Sequence, residues 1–452
     1  MSHSSQTSAQ ASITRRDLLT AGARTAVGIA AGAALSSLPG VPAVFASSSR
    51  SSTTLNFLTG LGGPDGQTMQ ALVRQFNKEH PGITVKMQTI GTWTTFYSKL
   101  LPALTSGNAP EVFTTHVQEM LYFQSKGLFL QVDDLFGPTL PEKDFAPQPM
   151  KYVTYQGHIY GMPLDMHGWA FYFNPDLLKA AGLPLRGPAS GDEVIQWARK
   201  LTVDKHGNNG LSKAFDANNV KVYGIATSWD APPTFLTTAW SFGADTLTPD
   251  GKHATFNTPP MRAAVQFWHD LIFKYHACAK PASYGANGPW SAYANKALAM
   301  LPDGDWMRNW FPQHKNVAVK VVFMPRFGSQ HVAWMSGHVI SCPAGLSGDK
   351  KTAAYTFMRW LSEHGLQWTE GAGHIPARIS QRTSKAVMGL WPQKVYGPEL
   401  AEIGRIEHPS TVFFDIQDAY IPQIDAAWNG TKSVSAALSE AQSRVSSALA
   451  RA

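Results

Sequence analysis

The segment Gly157–Asn174 constrains the fold more tightly than any other stretch of the chain. Pro163 drives the residue before it into extended backbone, so Tyr160–Pro163 reads as a short extended run. Asp165 and His167 follow two residues apart, which puts both side chains on one face of an extended strand. Trp169, Phe171 and Phe173 continue as an alternating apolar run, and Asn174-Pro175-Asp176 signals a turn and a helix start. A strand carrying polar groups therefore runs into an apolar strand, and a helix follows to Ala181, closed by Gly182.

Elsewhere the pattern alternates between strands and helices. Thr54–Leu58 reads as a short buried strand, followed by the loop Gly60–Gly66 and a helix from Gln67 to His80 with Met69, Leu72, Val73 and Phe76 at helical spacing. Ile83–Met87 alternates as the next strand. This βαβ opening predicts an α/β lobe with a parallel sheet. The glycine-rich loop lacks both GxGxxG and GxxxxGK[ST], which argues against a nucleotide site. Trp93–Leu104 reads as a second helix. His116 lies in the loop after the next strand, where it either meets a ligand or caps a helix. Residues 204–222 are polar and rich in Gly and Asn, as an exposed insertion or hairpin would be. Pro233–Phe242 reads as a helix carrying Trp240, and Ser410–Ala452 as a helical tail.

At 452 residues the chain is too long for one core, so two domains or a bilobal body are expected. Charged residues at 15% and hydrophobic residues at 44% mark an ordinary globular protein. The net charge of +7 is spread thinly, with no run of five Lys/Arg, which argues against nucleic-acid binding. The 14 Trp and 23 Phe fill a large core or, in part, offer flat faces to sugar rings. Residues 1–46 read as an export signal: Thr14-Arg15-Arg16-Asp17-Leu18-Leu19 fits a twin-arginine motif, an Ala/Gly-rich run follows, and Val44-Phe45-Ala46 suits a signal peptidase. No Cys follows the apolar run, so no lipobox anchor is expected, and the protein would work in the periplasm or at the outer face of the cytoplasmic membrane.

Several motifs, in order, resemble bacterial extracellular solute-binding proteins of the maltose-binding type. These are "FLTGLGGPDGQTMQALVRQFNKEHPGITVKM" from residue 57, Gly107-Asn108-Ala109-Pro110-Glu111-Val112 (with Glu111 where the family has aspartate), and "YGMPLDMHGWAFYFNPDLLKAAGL" from residue 160. "KALAMLPDGDWM" from residue 296, Trp334–Ser341 and Gly371–Arg378 complete the set. The resemblance implies a two-lobed α/β fold of the periplasmic-binding-protein type, each lobe a mostly parallel sheet flanked by helices, joined by a hinge. It implies a first lobe of residues 47–163 and 338–376, and a second of 164–337 and 377–452 with the terminal helices. It further implies a monomeric extracytoplasmic receptor, not an enzyme, that binds a carbohydrate between the lobes and delivers it to an ABC permease. Trp240 and Trp306 would stack on the sugar. Asp165, Asp305 and His116 would bond its hydroxyls, with the amides of Gly62, Gly63 and Gly337 completing the set and His167 and His338 as further candidates. Glycerol-3-phosphate or a related phosphodiester is the alternative ligand. Arg378 is the arginine at a crossing that could meet a phosphate.

Catalytic and metal signatures are weak. The 15 histidines include no HExxH and no close His/Cys cluster. His158, His167, His338 and His374 fall near the proposed crossings, so a composite metal site is conceivable, but few acids and no Cys share those segments. No metal and no cofactor are expected. GxSxG is absent. Asp165 and Asp305 could face each other as a glycosidase pair, which keeps a secreted carbohydrate-active hydrolase as a remote reading. Cys278 and Cys342 fall in different lobes and are expected to remain thiols.

Overall fold

The computed structural model describes residues 52–227, 231–314 and 316–452. The proposed export signal lies outside these. Two mixed sheets organise the described chain. In the first, strands run in the order Ile83–Thr89, Thr53–Thr59, Val112–His116, His338–Ser341 and Met162–Pro163. The first three are parallel, as the βαβ opening requires, and His338–Ser341 is antiparallel to both of its neighbours.

The second sheet is built around the strand Asp165–Phe173, and here the expected parallel pattern gives way. Leu298–Gly304, Lys320–Val322, Ala333–Ser336 and Ile375–Pro376 all pair with it antiparallel. The reason is topological. Asp165–Phe173 arrives from the first sheet and runs away from the junction. Ala333–Ser336 returns toward that junction, and Leu298–Gly304 runs the same way. The chain leaves the first sheet at Pro163 and enters the second at Asp165; it leaves the second at Ser336 and re-enters the first at His338. Gly337 stands at that return, where a Cβ would come within 2.4 Å of the Asp165 carbonyl oxygen.

Every residue of Asp165–Phe173 is buried because alternate side chains enter two different cores, one on each face of the strand. Trp169, Phe171 and Phe173 enter a core closed by helices of the second lobe, including Pro259–His269 and the terminal pair Phe413–Asn429 and Val434–Leu449. Met166, Ala170 and Tyr172 face the opposite core. The terminal pair is punctuated as its sequence requires: Gly430 takes φ +79° after the first helix, and the Ser433 hydroxyl accepts the Ala436 N–H at the start of the second.

The first helix begins earlier than its sequence suggests, at Gly63 and not Gln67. Pro64-Asp65-Gly66 has turn chemistry, but proline also fits a first helical turn, where its missing N–H costs no bond. That early start carries Asp65 into the first turn. Glu111 accepts both the backbone N–H and the side-chain amide of Asn56 and pairs with Lys350, which ties the interior of the first sheet to the helix Gly348–Glu363. Cys278 and Cys342 are buried free thiols, each pushed up to about 12 by burial. Among the described residues no helix is long and apolar enough to cross a membrane.

Phe171 is fully buried and Leu211 is 49% exposed. Urea unfolding of Phe171→Ala is expected to show a loss of about 3–5 kcal/mol, and Leu211→Ala a change within about 0.5 kcal/mol. Equal losses would contradict the central place of the strand.

Candidate functional site

The site lies where the two sheets meet, and β-pairing places its side chains. His338 and His116 are direct cross-strand partners in the first sheet. His167 pairs with Ser336, and Pro376 with Asp165, in the second. The ends of five strands therefore converge on one small volume.

Asp165 is its hub. The carboxylate is fully buried and accepts four N–H donors: His167 Nδ1 at 3.1 Å, His338 backbone N at 3.0 Å, His338 Nδ1 at 2.8 Å and Trp368 Nε1 at 2.7 Å. Burial alone would raise this carboxyl. The neighbouring His338 and His374 rings and the imidazole hydrogen bonds reverse that and hold it well below the usual range. Burial lowers the basicity of both His167 and His338, so these rings are neutral donors to Asp165.

A second ionic group sits beside the first. His374 is buried between Asp305, 2.9 Å from its Nδ1, and Asp65, 3.2 Å from its Nε2. Burial opposes its charge, but Asp305, Asp65 and Asp165 outweigh that and raise its pKa well above the ordinary imidazole value. Asp305 is pushed up to about 7 by burial, against the pull of His374. Asp65 Oδ1 and Asp305 Oδ2 are buried without a hydrogen-bond partner among the described residues.

Aromatic rings wall the cluster. Trp93, at the start of helix Trp93–Thr105, stacks on His338 with centroids 5.5 Å apart and lies 4.1 Å from the His116 ring. It rests on Gly60, where a Cβ would overlap the indole. Trp306, on the opposite lobe, stands 6.1 Å from His167 and 5.4 Å from Trp169. Both indoles are half-buried.

Of the residues expected at a site, the structure gathers His116, Asp165, His167, Asp305, Trp306 and His338. Gly337 adjoins them, but its carbonyl accepts the Val117 N–H and its role is close backbone approach. Gly62 and Gly63 sit at the start of the helix that carries Asp65. Two expectations fail. Trp240 is 1% exposed in the second-lobe core, donates to Asp245 and is covered by the Arg405 guanidinium 4.6 Å from its ring. Arg378 pairs with Asp144 at 2.8 Å. His158 is also elsewhere, on the exposed hairpin Thr154–Ile159, paired with Asp133. Sequence reasoning missed Asp65, Trp93 and Trp368 and gave His374 no partner. The nearest signal was the Trp at a helix start and the acid beside Pro64, and neither is specific.

A model of the family described as bacterial extracellular solute-binding protein matches residues 61–368. The chain belongs to that family. It is the solute-binding protein of an ABC importer and acts outside the cytoplasm. Among its relatives, the sn-glycerol-3-phosphate-binding periplasmic protein UgpB of Pectobacterium atrosepticum is 21% identical over 433 residues, 90% of this chain and 94% of that one. An ABC substrate-binding protein of Listeria monocytogenes, solved in complex with cycloalternan, matches with TM-score 0.77 at 19% identity, over 88% of this chain and 99% of that one. The maltose/maltodextrin-binding domain MalE of Bdellovibrio bacteriovorus, bound to maltotriose, matches with TM-score 0.76 at 20% identity, over 87% and 99%. The fold of the solute-binding protein described here is thus the two-lobed, MalE-like one. The family and these neighbours are substrate-binding proteins, not enzymes.

Between about pH 4 and 7 the folded protein holds on Asp305 a proton that the unfolded chain has released, so this group's contribution to stability falls as pH rises through that window. His374 acts in the same sense at higher pH: its contribution is full below the ordinary imidazole value and is lost as pH climbs through its raised folded value. Relative to Asp305→Asn, the unsubstituted protein is expected to lose roughly 1 kcal/mol per pH unit across pH 4–7 in urea unfolding. Parallel profiles would contradict the assignment.

Proposed function

We propose that the protein binds a carbohydrate between its lobes and hands it to the permease. The observation that carries this reading is the pairing of two half-buried indoles, Trp93 from the first lobe and Trp306 from the second, with the unpartnered carboxyl oxygens Asp65 Oδ1 and Asp305 Oδ2. Flat rings suit the C–H faces of a pyranose, and buried carboxyl oxygens without a partner suit hydroxyl groups, which both donate and accept. Ligand contacts to both lobes would favour the closed arrangement by their differential affinity.

Charge weighs against a phosphate ester. Three carboxyl groups, Asp65, Asp165 and Asp305, line the cluster. The guanidinium of Arg308 is spent on the carbonyls of Trp391, Thr369 and Glu370, and that of Arg378 on Asp144. An anion would meet those acids, while among the described residues Arg308 and Arg378 already have oxygen partners and Arg382 reaches the Met166 sulfur.

A thermal-shift screen of mono-, di- and oligosaccharides and glycerol-3-phosphate is expected to raise Tm with a sugar, recovered intact, and not with the phosphate. Trp93→Ala and Trp306→Ala should each weaken that sugar about tenfold or more. A shift with the phosphate ester alone, or consumption of the sugar, would overturn the reading.

A further inference from the structure

We propose that His116, His167 and His338 form a binding site for one divalent transition-metal cation of the zinc class, bridging the two lobes. One nitrogen from each of the three buried rings lies within 4.8 Å of the other two. Ligand nitrogens on a tetrahedral zinc stand about 3.3–3.5 Å apart, so small ring adjustments complete the geometry.

The second argument is orientation. Asp165 takes the Nδ1–H of both His167 and His338, which fixes one tautomer and leaves Nε2 of each ring with a free lone pair. The His116 ring also caps the turn Val117–Glu119, its side chain accepting the Glu119 backbone N–H, and its Nδ1 lies 3.0 Å from the Tyr97 hydroxyl. Two of the three rings, His167 and His338, are thus backed by a carboxylate that aims them, as metal-ligating imidazoles ordinarily are. Among the described residues no hydrogen bond occupies Nε2 of His167 or of His338.

The donor set chooses the ion. Three imidazoles without thiolate suit zinc and its borderline neighbours. Magnesium and calcium want oxygen ligands, and both oxygens of Asp165 are already committed to N–H donors. Three protein ligands leave a fourth position open. Topology supplies the consequence: His116 and His338 belong to the first sheet and His167 to the second, so the ion would favour the closed state over any state that separates them.

The test uses tag-free, chelator-treated mature protein titrated with zinc chloride by calorimetry, with magnesium chloride in parallel. The expected result is one zinc per chain, no magnesium binding, and at least 100-fold weaker zinc binding in His116→Gln and His167→Gln. Cobalt(II) added to the unsubstituted protein should give the intense visible absorption of a tetrahedral site, a readout that does not depend on the variants folding. Absence of stoichiometric zinc binding, or binding unchanged in both variants, would overturn the proposal. Sugar binding measured on the metal-free protein separates the two readings: sugar without zinc removes only the metal, and zinc without sugar removes only the carbohydrate.

Discussion

The Asp165 carboxylate is the interaction on which the rest of the site depends. A fully buried ion is tolerated only when its lone pairs are filled, and here four N–H donors from His167, His338 and Trp368 fill them. Those donors come from the strand that carries Asp165, from the strand that returns to the first sheet, and from the helix Gly365–Ala372. One side chain therefore fixes the meeting of three chain segments at the hinge. The close approach of Gly337 to the Asp165 backbone is the steric counterpart of the same junction.

Two electrostatic environments then share one small volume. Around Asp165 the charge sits on the acid and the imidazoles are neutral; around His374 the imidazole is the cation and two acids flank it. Placing them side by side sets the polarity of the cleft. Its acids outnumber its cations, which under the proposed reading would favour a neutral ligand rich in hydroxyl donors over an anion. In the proposed carbohydrate reading, Trp93 and Trp306 from opposite lobes would add shape selection that charge alone does not give.

Much of this was legible in the sequence because it is local. Asp165 and His167 share a face by strand periodicity, and the alternation of Trp169, Phe171 and Phe173 marks the central strand, with its two faces in two cores. What was not legible is long-range. His374 lies 69 residues from Asp305 and 309 from Asp65, and no spacing rule connects them. Trp240 has the helix position of a ligand-facing residue, but whether an indole meets a cleft or a core is set by partners far away, here Arg405 and the tertiary fold around it. The parallel pattern of the first lobe does not extend to the second, because a strand that crosses between lobes enters its new sheet against the direction of its neighbours.

The measurement that tests the hub most directly is long-range ¹⁵N–¹H NMR of the imidazole nitrogens at neutral pH, in metal-free protein. Both His167 and His338 should appear as neutral rings protonated at Nδ1, since that hydrogen is held by Asp165. Rings protonated at Nε2, or averaging between tautomers, would mean that Asp165 does not organise the junction between the lobes.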